Sequence, residues 1–166
     1  MINTIPDFAR LRYGTRAQTG PQAEQVLERM LNCARGGALA TGSRLEWRHT
    51  ARPYSHLLHN TPMLDAFKAN LETIGESTLD YLPVSGSTDM GNISQVVPTI
   101  HPIIGYGDPK LSAHTRAFAE ASRGEPGLSS MKLAAKTLAM TCLDLLEDED
   151  LQKRVRATFE NNPLSG

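Results

Sequence analysis

The sequence predicts an α/β (α+β) protein, and three observations carry that prediction. Two segments of period-two alternation enclose one amphipathic helical pattern, two short apolar runs lie mid-chain, and the last third is helical. Residues 8–17 set Ala9, Leu11, Tyr13 and Thr15 against Phe8, Arg10, Arg12 and Arg16, the pattern of a half-solvated antiparallel strand. Thr19-Gly20-Pro21 then breaks the chain, with Pro21 suited to the first turn of a helix. Ala23, Val26, Leu27, Met30, Leu31 and Ala34 recur at three- and four-residue spacing, and Gly36-Gly37 predicts the stop. A second alternating strand follows, with Leu45, Trp47 and His49 against Arg44, Glu46 and Arg48. Strand, helix and strand are half of a split βαβ, ferredoxin-like unit, assigned to residues 1–52. Half a sheet leaves an edge and a face that need partners.

Residues 50–60 carry Pro53 and no periodicity, and predict a crossing into a second domain over 53–166. A helix is predicted over 61–76, capped by Asn60 or Thr61, with Pro62 at its start and Met63, Leu64, Phe67, Leu71 and Ile74 on one face. Residues 93–97 and 100–106 read as buried strands. A long polar stretch from Asp108 to Gly127 contains His114, ahead of a small helix. Ser129 or Ser130 is expected to cap a helix over Met131–Leu146, apolar almost all round and therefore buried. Asp148 starts a shorter amphipathic helix, with Leu151, Val155 and Phe159 on its face, that stops at Asn161-Asn162-Pro163.

Composition excludes several function classes. The 17 Lys and Arg balance 18 Asp and Glu, so no charged field points to nucleic acid or a membrane surface. No apolar run approaches the roughly 18 residues a spanning helix needs. Met1 to Asp7 shows no basic stretch leading into an apolar one, so no signal peptide is read and a cytoplasmic protein is expected. Cys33 and Cys142 lie in helical patterns among apolar neighbours and read as buried free thiols.

The chemistry-bearing residues gather in the middle of the chain. Gly86-Ser87-Thr88-Asp89 is either an Asx/ST turn that ends a loop or a turn whose backbone N–H groups face a carboxylate. His101, between Ile100 and Pro102, reads as a packed strand residue rather than a catalyst. His114 sits where a ring nitrogen could face a cleft, yet zinc needs three or four ligands, and no His-x-x-x-His or Cys-x-x-Cys accompanies it. The acidic run Glu147-Asp148-Glu149-Asp150 reads as a solvated helix junction. Arg16 could clamp a carboxylate bidentately, or sit on a solvated strand edge. His49, His56 and His59 have no metal spacing. Neither a Gly-x-Ser-x-Gly elbow nor a phosphate-binding glycine fingerprint is present.

Taken in order, these segments resemble a known family. Asn3-Thr4-Ile5-Pro6-Asp7-Phe8-Ala9 and Thr15-Arg16-Ala17 resemble the lid (dimerisation) domain of the zinc-dependent aminoacylase/carboxypeptidase-G-type metallopeptidases. Gly86 to Asn92, Val97-Pro98-Thr99-Ile100-His101-Pro102, His114-Thr115 with Phe118-Ala119-Glu120-Ala121, and Leu138 to Leu146 resemble one branch. That branch holds the aminobenzoyl-glutamate hydrolase B subunits and related amidohydrolases that cleave dipeptides carrying unusual basic residues. The likeness covers nearly the whole chain.

The resemblance implies the second half of a ferredoxin-like lid, followed by the C-terminal part of a zinc-exopeptidase α/β catalytic domain. It implies amide hydrolysis at a two-zinc centre, with His114 as one ligand. Gly86, Ser87, Thr88, Asp89 and His101 would belong to the substrate pocket, and Asn3 and Arg16 would reach substrate from the lid. The family's His-x-Asp motif, bridging Asp, Glu-Glu pair and further acidic ligand lie upstream of the matching stretch, and Arg116 stands where relatives often carry an acidic residue. The expectation is therefore a fragment or subunit, inactive alone, whose zinc is not retained without the missing N-terminal half. A small amide or dipeptide would be the substrate, and homo- or hetero-oligomers would form through the lid. The alternative is a non-catalytic partner that caps a full-length paralogue as a regulator.

Overall fold

A computed structural model of the chain describes residues 3–78, 86–106, 108 and 110–162. Among the described residues there are six α-helices and no strand: α1 (Gly20–Thr41), α2 (Thr61–Thr73), α3 (Met90–Ser94), α4 (Arg116–Arg123), α5 (Glu125–Glu147) and α6 (Glu149–Glu160). The predicted α/β sheet architecture, ferredoxin-like lid included, is therefore corrected to a helical one. The chain divides into two units, Met1–His56 and Leu57–Gly166.

In the first unit, α1 starts where Thr19 Oγ1 accepts the Gln22 N–H and Pro21 occupies the first turn. His56 Nδ1 accepts the Gly20 N–H at 3.3 Å, satisfying another donor of that turn. The helix runs through the predicted stop at Gly36-Gly37 and ends at Gly42, which adopts φ 65. A left-handed C-terminal residue is what ends the helix, and of Gly36, Gly37 and Gly42 only Gly42 takes that conformation. Ala38 to Thr41 simply continue the helix, at a cost of roughly 1 kcal/mol for each interior glycine.

The segments 8–17 and 44–49 show why alternation here does not make a sheet. Side chains two apart do share a side: the Arg10 guanidinium lies 5.5 Å over the Phe8 ring, Arg44 pairs with Glu46, and Trp47 meets His49 edge-on. Period two thus captured which neighbouring side chains lie together. No neighbouring strand completes a ladder among the described residues, and Phe8, Leu11, Tyr13 and Trp47 are exposed.

The second unit is built around α5. Asn60 caps α2 through Oδ1 and the Met63 N–H, and Pro62 sits in the first turn, as the sequence indicated; the helix ends at Thr73 rather than residue 76. Phe67 and Leu71 are buried where α2 packs on α5 and α6, and Asn70 Nδ2 donates across that seam to Thr141 and Asp144 of α5. Asp148 caps α6 through the Asp150 and Leu151 N–H groups, and Leu151 and Val155 are buried, again as the pattern indicated. The predicted stop's Pro163 lies outside the described residues.

Two strand assignments fail here as well. Residues 93–97 are the end of α3 and a following turn, because the Asp89 and Ile93 carbonyls collect the successive amides of a helical turn. Residues 100–106 form no strand or helix. There the Gly105 carbonyl accepts Ser130 Oγ, and the Tyr106 ring packs on Phe118, with centroids 5.4 Å apart. Ser130 is thus spent on that contact and caps nothing, while α5 begins earlier, at Gly124 and Glu125. Nor is α5 buried all round: Met131, Leu143 and Leu146 are exposed. Both cysteines are free, as expected, but exposed rather than buried.

Candidate functional site

The turn before α3 is held by a set of buried polar side chains, of which the sequence analysis named only Asn60, as a helix cap. Ser94 Oγ donates to the Gly91 carbonyl and accepts the Leu58 N–H at 2.9 Å, fixing α3 to the segment ahead of α2. Two residues on, the Asn60 N–H reaches the Thr99 carbonyl, and Asn60 Nδ2 donates to the Val155 carbonyl of α6 at 2.9 Å. Ser94, Asn60 and Thr99 are all buried, and each has its partners, which such groups require. The signal available in sequence was a set of lone polar residues inside apolar stretches (Ile93-Ser94, Leu58-His59-Asn60), which is weak.

Within the turn, Thr88 Oγ1 accepts the Met90 N–H at 3.3 Å, an ST turn. The Gly91 N–H goes to the Thr88 carbonyl, and those of Asn92 and Ile93 to the Asp89 carbonyl. Of the two readings left open by the sequence, this is the self-contained turn. The donors of α3's first residues are already engaged, and the Asp89 carboxylate and Gly86 are exposed above them.

His114 stands in the turn before α4 with φ 66, the only non-glycine residue at positive φ among those described. Thr115 behind it caps α4 through the Phe118 N–H, and its hydroxyl donates to the Ser112 carbonyl. His114, next to this doubly bonded Thr115, is exposed. His114→Gly should stay within about 0.5 kcal/mol of the parent stability in chemical denaturation, because relief of left-handed strain offsets the greater freedom of glycine when unfolded. A larger loss would show that the imidazole helps hold the fold.

The other sequence-predicted residues are dispersed. His101 is exposed in a segment without strand or helix, which corrects its reading as a packed strand residue. Asn3 and Arg16 are exposed residues of the first unit. In the second unit, an open groove of about 760 Å³ is lined by Pro98, Leu145, Val155 and Phe159, and another of about 430 Å³ by Asp65, Asp144, Asp148 and Arg154. None of the predicted site residues lines either groove. Among the described residues, no three His, Cys, Asp or Glu side chains converge as a metal site would require. The side chains present therefore do not fit a complete zinc centre, which takes three or four such donors.

No protein-family model matches the chain. It is 34% identical over 163 residues to the Xaa-Arg dipeptidase of Homo sapiens, a match that covers 95% of this chain and 37% of that protein. The Xaa-Arg dipeptidase of Mus musculus matches at the same identity and coverage. The chain thus spans well under half the length of the curated relatives it matches. The likeness supports a peptidase family and does not single out the aminobenzoyl-glutamate hydrolase branch.

Proposed function

Since a dipeptide-hydrolysing peptidase family is what this chain resembles along nearly all its length, we propose that it forms part of a metal-dependent dipeptidase. The observation that carries this reading is the 34% identity sustained over 163 residues. The proposed reaction is hydrolysis of the amide bond of a small dipeptide, with a basic C-terminal residue as in the relatives' name. Zinc, where a complete set of ligands binds it, supplies an activated water and polarises the scissile carbonyl. The residues described in this chain do not complete such a set, so the chain alone is proposed to be inactive.

The chain's own contribution is binding and positioning. The turn at Gly86, Ser87, Thr88 and Asp89, braced through Gly91 and Ser94, would form part of the pocket wall together with His101. Asn3 and Arg16 would engage the substrate's backbone and carboxylate, for which a guanidinium's paired donors are suited. His114 would donate one ring nitrogen to a metal whose other ligands come from a second polypeptide.

The test is release of free arginine from Xaa-Arg dipeptides with added zinc. The assay uses the chain alone and the chain co-purified with the portion of the human dipeptidase outside the matched stretch. The expected result is no turnover by the chain alone, and turnover with the complement that is lost on His114→Gly. Turnover by the chain alone would overturn the reading.

A further inference from the structure

The longest helix turns the wrong face outward for a free surface. Along α5, the exposed residues Leu128, Met131, Ala135, Leu138, Ala139, Cys142, Leu143 and Leu146 fall within an arc of about 140° at the helical repeat. They form a stripe roughly 27 Å long, end to end. Leu146 is 76% exposed, Met131 60% and Leu143 55%. The opposite side, packed on α2, carries the hydroxyls of Thr137 and Thr141, which are 0% and 3% exposed. Buried hydroxyls on the packed side and large apolar side chains on the exposed side depart from the pattern of a solvated helix. An apolar band of this extent, interrupted by Lys132, marks an interaction site.

We infer that this stripe is the docking face for a polypeptide equivalent to the part of the dipeptidases that this chain does not span. The inference rests on the proposed function. Two observations choose this occupant. The match to the relatives runs through 95% of the chain, α5 included, and takes in only 37% of their length, so in those proteins a larger body of polypeptide is available to cover the helix. A second copy of the chain suits the stripe poorly. Lys132 falls within the arc and Lys136 borders it, and an antiparallel pair centred on the stripe would set the two Lys136 ammonium groups close to the dyad. A different partner carries no such constraint.

Cys142, free and exposed within the stripe, provides the probe. Its alkylation by a maleimide is followed in the chain alone, at low and high concentration, and after co-purification with the complementary portion of the human dipeptidase. The expected result is rapid labelling alone at both concentrations, and labelling slowed about tenfold or more in the complex, as burial requires. The double variant Leu138→Glu/Leu143→Glu, whose side chains are exposed in the free chain, should keep the parent helical circular dichroism and lose the complex. A complex that forms equally with the double variant would overturn the docking face and leave the dipeptidase reading standing. No complex with the parent chain would overturn both. Protection of Cys142 in the concentrated chain alone, abolished by Leu138→Glu/Leu143→Glu, would make a second copy the occupant and overturn the inference.

Discussion

Gly127→Ala is expected to destabilise the second unit by about 1–3 kcal/mol, although alanine is the better helix former by about 1 kcal/mol. Gly127 is buried in the first turn of α5, and a single residue, Gly124, separates that helix from α4. A Cβ at this position would lie 2.2 Å from the Ser122 carbonyl oxygen and 2.6 Å from its carbon. Both are backbone atoms of α4, so no rotamer change relieves the clash. The helix itself would have to shift, carrying the Tyr106–Phe118 contact and the Thr115 cap beside His114. Amide hydrogen exchange over α4 and α5 measures the loss. Gly37→Ala is the control: it lies inside α1, its Cβ would meet nothing within 4 Å, and it should gain about 0.5–1 kcal/mol. A gain at Gly127 as well would show that the two helices do not pack this closely.

Asn60→Ala should cost about 2–3 kcal/mol, from the sum of a lost helix cap and a lost buried hydrogen bond. Its Oδ1 caps α2 at Met63 and its Nδ2 reaches the Val155 carbonyl, so one side chain joins the start of α2 to the middle of α6. Removing it leaves the Met63 N–H without its acceptor in a region already shielded from water. Asn60→Asp separates the two roles, since it keeps the capping oxygen and sets a carboxylate against the Val155 carbonyl. It should be at least as destabilising as alanine. Urea unfolding measures both, as a lower midpoint at unchanged slope. An Asn60→Asp chain as stable as the parent would show that capping is the whole contribution.

The helices legible in the sequence were those with both an apolar stripe and a chemical start signal. Asn60-Thr61-Pro62 before α2 and Asp148 before α6 combine a capping side chain with Phe67, Leu71, Leu151 and Val155 at helical spacing. Sheet pairing was not legible. Alternation in 8–17 and 44–49 records only which side chains share a side, and the contacts of Phe8 with Arg10 and of Trp47 with His49 satisfy it without any neighbouring strand. The short run Ile93 to Val97 shows the limit of apolarity as a strand signal, because Ser94 closes the turn through the Gly91 carbonyl. Burial of α5 was inferred from composition, yet the hydroxyls of Thr137 and Thr141 make bonds within the helix to Leu133 and Thr137 and so take the inner face.

The candidate site was legible as a set of segments rather than as a geometry. The ST turn at Thr88 and the small helix behind His114 stand where the sequence indicated. The long-range bonds of Ser94, Asn60 and Thr99 were not legible, because their partners lie up to 95 residues away in sequence.

The central proposal is that this chain carries part of a dipeptidase site, with His114 as one donor of a metal centre that its described residues do not complete. Zinc content after dialysis against a weak chelator tests it most directly, since fewer than three donors do not hold the ion. The account predicts that the purified chain loses its zinc, and that the complex with the complementary portion of the human dipeptidase retains it in the parent but not in His114→Gly. Stoichiometric zinc retained by the chain alone would contradict it.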